Sequence, residues 1–456
     1  MMPFEMSGLW WLPGTPESKV GGTLRGNEEG EIRLELIGGF GEPWMVSPRE
    51  ERLLVHGIAQ DQSGATLVTL ANSFVTRDSV GSADIRHQTL FVPRAYLGGH
   101  LSSPNTTLFT TATLQFSGLS SWAVGLTGFA AQQPSQGPHV SWSHPSEAVK
   151  DVAGAQLLLG LGCTASARMG RERIIREYVT IRLTFDNPIY QAELDNLYFY
   201  PLHNFLTFAT DRPNALTNLS LGYGPNRDKV TVRGPVTFTD EKSGSDLMFP
   251  DMLFTLKDIR DRFDDVLTKW IHLHRQHRGA FAVYFGNLYD ASGFVDARFQ
   301  LLLQAVSIYF AGESTPHPLS VDAYMTATQT DELNINLLKE FLYEPPVWMA
   351  QHAISSLAEK HSHIFAAFIG GDSPARQSAF TKRVVGFLRN ILLRPQGRDS
   401  DDTFGSHVYI LGEQVAALFK IELMSELGFS TDEITNLLGR NRRLNHLRAQ
   451  VAATPF

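Results

Sequence analysis

The stretch richest in chemical possibility is Phe380–Gly397, FTKRVVGFLRNILLRPQG. Val384, Val385, Phe387, Leu388, Ile391, Leu392 and Leu393 recur at helical spacing, which predicts a helix with one apolar stripe. Lys382, Arg383, Arg389, Asn390 and Arg394 stand among them, and Pro395-Gln396-Gly397 stops the helix. On this reading Arg389-Asn390 is a polar pair deep inside an apolar helix. Burying a guanidinium costs several kcal/mol unless it is paired. Either the pair is kept for the chemistry of a fixed positive charge, or Arg389 snorkels or meets a carboxylate on a neighbouring helix.

A second Arg-Asn pair precedes a histidine in Arg440-Asn441-Arg442-Arg443-Leu444-Asn445-His446. Its plainer explanation is a solvated basic helix end, which the helix dipole favours. His407 follows the loop after Pro395 and has no place fixed by spacing. His272, His274 and His277 fall on one predicted helix, where only His274 and His277 share a face. No carboxylate stands at a His-Glu-x-x-His spacing, so no metal is expected. His361 and His363 point to different helical faces. There is no Gly-x-x-x-x-Gly-Lys-Ser/Thr, no Gly-x-Gly-x-x-Gly and no Gly-x-Ser-x-Gly, which argues against nucleotide hydrolysis and serine-hydrolase chemistry; no cofactor is expected.

The elements that must position these residues fall into two kinds. Residues 1–245 read as β-rich. Glu31–Ile37 alternates polar and apolar with period two before Gly38-Gly39, and strand-like runs follow at Ala65–Leu70, Thr107–Phe116, Tyr178–Phe185 and Lys229–Phe238. Gly, Pro, Asn and Ser clusters between them predict a sandwich or barrel-like domain. Residues 250–456 turn helical, with patterns at Phe254–Gln276, Val295–Phe310, Glu332–Leu342, Val347–His361, Ser373–Arg394, Val408–Leu427 and Thr431–Val451. Short connections between them predict a bundle, so the fold class is α+β. Trp10, Trp11 and Trp44 are read as core or interface aromatics.

At 456 residues, 43% hydrophobic and 19% charged, the chain is long enough for two or three domains with a sizeable core. Its net charge of -8 gives no global positive field, so any nucleic-acid site must be a local basic patch. The lone Cys163 allows no internal disulfide and fits a reducing cytoplasm. The opening MMPFEMSGLWWLPG lacks a basic segment followed by an apolar run, so a signal peptide is not expected. No window approaches 18 uninterrupted apolar residues, so no membrane span is expected.

Nearly the whole chain resembles the ApeA family of anti-phage HEPN proteins. Gly8-Leu-Trp-Trp-Leu-Pro13 with Gly22-Thr-Leu24 resembles the family's opening, and Leu36–Phe40, Phe91–Arg94, Tyr96–His100 and Phe116–Trp122 resemble later blocks. Arg298–Ala305 is similar to its Phe-x-x-Leu-x-Gln-Ala helix, although the Glu and Tyr-His that usually follow are here Ser307, Tyr309 and Phe310. Leu423–Gly428 resembles its terminal helix. Arg389-Asn390 resembles the HEPN signature, Arg then four to six residues then His, and in its shortest form the His position is Arg394.

The resemblance implies an abortive-infection ribonuclease that cuts RNA without metal, at a site formed across a homodimer of the helical domains. A tRNA or another cellular RNA would be the substrate, and the β-rich domain would sense a phage-derived trigger. Arg389 would stabilise the phosphate and Asn390 would position it. Arg394 stays protonated, so it can bind a phosphate but cannot act as the base; His446 is the substitute within the Arg-Asn-to-His spacing. The alternatives are a degenerate HEPN protein that binds RNA or a protein partner without cutting, and a purely structural helical module.

Overall fold

A computed structural model describes residues 3–453 apart from 29, 42–51, 62–63, 82–83, 127–128, 132–139, 143–145, 150–151, 153, 168–172, 226–227, 235–247, 291–292, 312–334 and 394–401. The chain forms two compact units, Met1–Phe249 with Phe254–Thr268, and Pro250–Leu253 with Lys269–Phe456.

The first unit is built on strands β1 (Phe4–Trp11), β2 (Val20–Gly26), β3 (Ile32–Ile37), β4 (Leu53–Asp61), β5 (Gly64–Val80), β6 (Arg86–Phe91), β7 (Arg94–Leu97), β8 (Phe109–Phe116), β9 (Phe129–Ala131), β10 (Val140–Trp142), β11 (Ser146–Val149), β12 (Ala155–Ala167), β13 (Arg173–Ile189), β14 (Leu216–Tyr223) and β15 (Asp228–Arg233). All but the β9–β10 pair join one antiparallel sheet, ordered β11-β12-β13-β8-β14-β15-β7-β5-β4-β1-β2-β3-β6. The long β5 pairs with β4 and β7 through its first half and with β6 through its second. That second pairing closes β1–β6 into a barrel, and the remaining seven strands run on from β5 as an open sheet.

The barrel follows from one-sided burial. Ile32, Leu34 and Leu36 on β3 are buried and alternate with exposed neighbours, as period two requires, and Gly38 at φ +117° ends the strand. Met6, Trp10, Leu24, Val55, Val68, Leu70 and Leu90 complete the interior. Trp10 lies over Gly57 of β4, where a Cβ would come within 2.3 Å of the indole, so only glycine fits. Trp10 and Trp11 are both buried, as expected of core aromatics, while Trp44 lies outside the described residues.

The predicted strands at Ala65–Leu70, Thr107–Phe116 and Tyr178–Phe185 fall in β5, β8 and β13. The run at Lys229–Phe238 begins as β15, and its end lies outside the described residues. The β-rich segment also contains helices α1 (Leu119–Trp122), α2 (Gln191–Leu194) and α3 (Tyr200–Thr210), the last two joined by a π-helical turn at Asp195–Phe199. Every residue of α3 from Pro201 on is buried, and Phe116 of β8 stacks on His203 with ring centroids 5.5 Å apart.

After α4 (Leu256–Ile259) a short 3-10 turn leads into α5 (Phe263–Gln276). The helical unit continues with α6 (Arg278–Tyr289), α7 (Val295–Ala311), α8 (Ile335–Lys360), α9 (Ser362–Ile369), α10 (Pro374–Leu393), α11 (Asp402–Glu426), α12 (Thr431–Arg440) and α13 (Arg442–Ala453). Phe419 of α11 packs on Tyr284 at 4.9 Å and Tyr309 at 5.1 Å, beside the stacked pair Trp270–Phe281. The chain is thus α+β, a β-rich part followed by a helical one. The helical patterns at Glu332–Leu342 and Val347–His361 are one helix, α8, and the pattern at Thr431–Val451 is two, broken at Asn441.

Candidate functional site

The buried side of α10 is set by Phe380, Val384, Val385 and Leu388, a stripe at helical spacing. At about 100° per residue Arg389 and Asn390 turn past the edge of that stripe, and both are exposed. The expectation of a polar pair deep in the helix is therefore corrected. The apolar stripe was drawn too wide, since Phe387, Ile391 and Leu392 are only half-buried. Arg394 lies outside the described residues. One turn before Phe387, Arg383 is half-buried; burial draws its guanidinium below its ordinary value, although it remains a cation at neutral pH.

His407 lies near the start of α11, exposed, with its ring centroid 6.3 Å from that of Phe387. Phe404, one turn earlier, meets the same Phe387 ring at 5.2 Å. Phe387 of α10 thus meets two rings of α11.

The second Arg-Asn run does structural work at the α12–α13 break. Asn441 is fully buried; its Oδ1 accepts from the Leu444 backbone N–H at 3.0 Å as the cap of α13, and its Nδ2 donates to the Asp251 carbonyl at 3.0 Å. Arg442 makes a two-pronged pair with Asp251 at 2.7 and 2.6 Å, and Arg443 another with Glu413 at 3.0 and 2.6 Å. His446 is exposed on α13.

The densest set of titratable groups stands further along α11. Glu422 is 5% exposed; its Oε2 accepts from His361 Nε2 at 2.5 Å and its Oε1 from Lys360 Nζ at 2.9 Å. Lys360 also reaches Glu426 at 3.3 Å. Burial opposes ionisation of Glu422, but the hydrogen bonds from His361 and Lys360 outweigh it and hold the carboxyl below its ordinary value. Burial, then the Glu422 and Glu426 carboxylates, push the Tyr309 phenol far above its usual range. The His277 ring packs on Tyr309 at 4.2 Å. His274, buried against Trp270 and Phe281, is drawn down to about 4 by desolvation. Among the described residues no group of three or more His, Cys, Asp or Glu side chains could hold a metal ion, and no helix is long and apolar enough to cross a membrane.

Residues 5–270 match the family described as ApeA N-terminal domain 1. The chain belongs to the ApeA N-terminal domain family. That membership places it in a family of anti-phage defence proteins. The ApeA match ends within a few residues of the close of the first unit at Thr268, so it covers the barrel, the open sheet and their helices. Neither a curated protein nor a solved structure matches the chain.

Outside the ApeA-matched segment, sequence reading singled out Arg389 and passed over Glu422. The signal was there: Glu422 sits between Ile421 and Leu423-Met424, a carboxylate inside an apolar run. Its partner His361 is 61 residues away in sequence, which no local pattern joins to it.

Proposed function

We propose that this ApeA-family chain is a HEPN-type endoribonuclease of anti-phage defence, cutting RNA without metal at a site built from two copies of the helical unit. The observation that carries the reading is the exposed Arg389-Asn390 pair near the end of α10, with the basic Arg394 five residues after Arg389 in the sequence. A guanidinium offers a two-pronged hydrogen bond to a phosphate, and charge developing on phosphate in the transition state strengthens it. A closed two-fold pair would supply the second half of the site. RNA is the substrate, a tRNA or another cellular RNA; the β-rich unit takes the phage-derived trigger, and the compartment is the cytoplasm. Cleavage by this route leaves a 2′,3′-cyclic phosphate and persists in EDTA. The test is an RNase assay on the purified chain with and without EDTA, beside Arg389→Ala. Activity that needs an added divalent metal, or that survives Arg389→Ala undiminished, refutes the proposal.

Arg394 in the position of the signature histidine favours a second reading, a degenerate HEPN protein that holds RNA without cutting it. Gain of cleavage in Arg394→His from an inactive parent would support it.

A further inference from the structure

We propose that the outward face of the open sheet, over β12, β13, β8, β14 and β15, binds single-stranded RNA. The inference goes beyond the ribonuclease reading and does not rest on it, because it concerns the β-rich unit alone.

Two rows of paired residues define the face. One runs Leu158–Arg182–Thr113–Ser220–Thr231 across the five strands, and the next runs Gln156–Thr184–Thr111–Gly222–Lys229. The residues that alternate with them, such as Leu159, Leu183, Leu114 and Leu221, are buried, so the two rows belong to the wet side. Along β13 the same side carries Arg176, Tyr178 and Thr180 before Arg182.

Three observations on this face point to RNA. The first is charge. Arg176, Arg182, Lys229 and Arg233 stand on it, and none of the four makes an ion pair among the described residues. Among those residues Asp186, past the register shift of β13, is the one carboxylate that alternates with them. In a chain of net charge -8 this is the local cationic surface that a polyanion requires. The second is a ring. Tyr178 pairs with Gly162 of β12, where a Cβ would come within 2.4 Å of the phenol ring. The ring therefore lies down over the glycine, half-exposed, with Arg176 two residues to one side and Arg182 four to the other. An aromatic face between guanidiniums stacks an unpaired base while the cations meet the flanking phosphates. The third is the run of hydroxyls beside Arg182. The side chains of Thr113, Ser220 and Thr231 make no hydrogen bond among the described residues, and they can donate to or accept from ribose 2′-hydroxyls, which DNA lacks. From Arg176 to Arg182 the face is roughly 20 Å long, and from β13 to β15 it is about 14 Å wide, room for a few nucleotides.

The experiment follows the fluorescence anisotropy of a 5′-fluorescein-labelled oligouridylate of about 12 nucleotides titrated with the full chain. The parent and Arg389→Ala are run side by side, since the second leaves the probe uncut if the helical unit is a ribonuclease. Both are expected to bind, with log K falling against log salt at a slope of about -3, as four phosphate contacts on a single strand give. Arg176→Ala with Arg182→Ala should weaken binding and bring the slope to about -1.4; both side chains are exposed, so folding is not at stake. Tyr178→Ala should lose roughly 5- to 150-fold in affinity at an unchanged slope, while Tyr178→Phe should bind like the parent. An oligodeoxyuridylate of the same length should bind more weakly than the RNA.

No binding by the parent at about 50 mM salt overturns the proposal, as does parent-like affinity in the arginine double variant and in Tyr178→Ala. Equal binding of the DNA, or of a duplex RNA, overturns the assignment of single-stranded RNA as the occupant. Binding lost in Arg389→Ala and intact in the β13 variants places the RNA on the helical unit, which refutes this surface and leaves the ribonuclease reading standing. Binding that behaves as expected, with no RNA cut by the parent, supports this surface and counts against the ribonuclease reading alone.

Discussion

Glu422→Leu removes a carboxylate that accepts two hydrogen bonds inside the helical unit, and the structure sets the size of the effect. His361 is 7% exposed, so the ring N–H that donated to Glu422 is left buried without its acceptor. An orphaned buried donor costs about 1–3 kcal/mol. The Lys360 side chain is 47% exposed and turns to Glu426 or to water, so its loss adds under ~1 kcal/mol. Leucine recovers part of the cost as apolar burial. The net is a destabilisation of about 1–3 kcal/mol, or roughly 2–10 °C in Tm for a unit of this size. His361→Leu similarly strands the Glu422 carboxylate beside Lys360. In the double variant neither group is stranded, so it should lose less than the two singles together, by about 1 kcal/mol or more. Urea unfolding followed by circular dichroism measures all four proteins. Additive losses, within about 0.5 kcal/mol, would refute the claim that these two side chains form one unit. The pH dependence has a definite sign. A carboxyl held below its ordinary value of 4.5 contributes stability that is present above that value and is lost as pH falls through the lower folded one. The parent should therefore weaken below about pH 4.5, and Glu422→Leu should lose less there.

Asn441→Ala removes the cap of α13 and the bond to the Asp251 carbonyl together, and should cost about 1–3 kcal/mol in the same unfolding assay. His203 is buried with its pKa drawn from 6.5 to about 4 by desolvation, so its neutral form contributes stability present above pH 6.5 and lost as pH falls toward 4. His203→Gln, which keeps a donor for the Asn214 carbonyl, should flatten the urea midpoint across that window. For RNA cleavage, Arg389→Ala should lose roughly 10²–10³-fold in rate with EDTA present, read from cyclic-phosphate product on a gel.

The elements that were legible in the sequence are those with one wet and one dry face. Ile32, Leu34 and Leu36 alternate because β3 lines a barrel, and α10 was read to within a residue at each end because its outer side is charged. The helical segment at 191–210 was not read, since α3 is buried all round and has no polar face to give a period. Nor was the break at Asn441, where no proline intervenes and a side-chain cap ends one helix and starts the next. At the candidate site the sequence found Arg389 and Asn390 but misjudged their depth. A helical wheel gives direction, while the width of the buried arc depends on which neighbours arrive, here Phe404 and His407 of α11. Phe387 and His407 stand on different helices 20 residues apart in sequence, beyond any local spacing pattern, so spacing alone could not bring them together.

The sharing of β5 has a consequence for how the first unit can be divided. Its first half is hydrogen-bonded to β4 on one side and β7 on the other, while its second half closes the barrel on β6. In the barrel β1–β2, β2–β3, β4–β5 and β5–β6 join strands adjacent in sequence. The β1–β4 and β3–β6 pairs span intermediate distances, with Ser7 facing Gln60 and Arg33 facing Phe91, whereas β7 reaches β15 across more than a hundred residues, with Thr231 facing Leu97. A fragment holding only β1–β6 would thus close over shorter separations than the whole sheet. It would also display the β7-facing edge of the first half of β5 without a partner strand, open to strand addition by another chain. Expression of the barrel alone invites aggregation, and the smallest fragment without that liability retains β7, β15 and the strands that hold them.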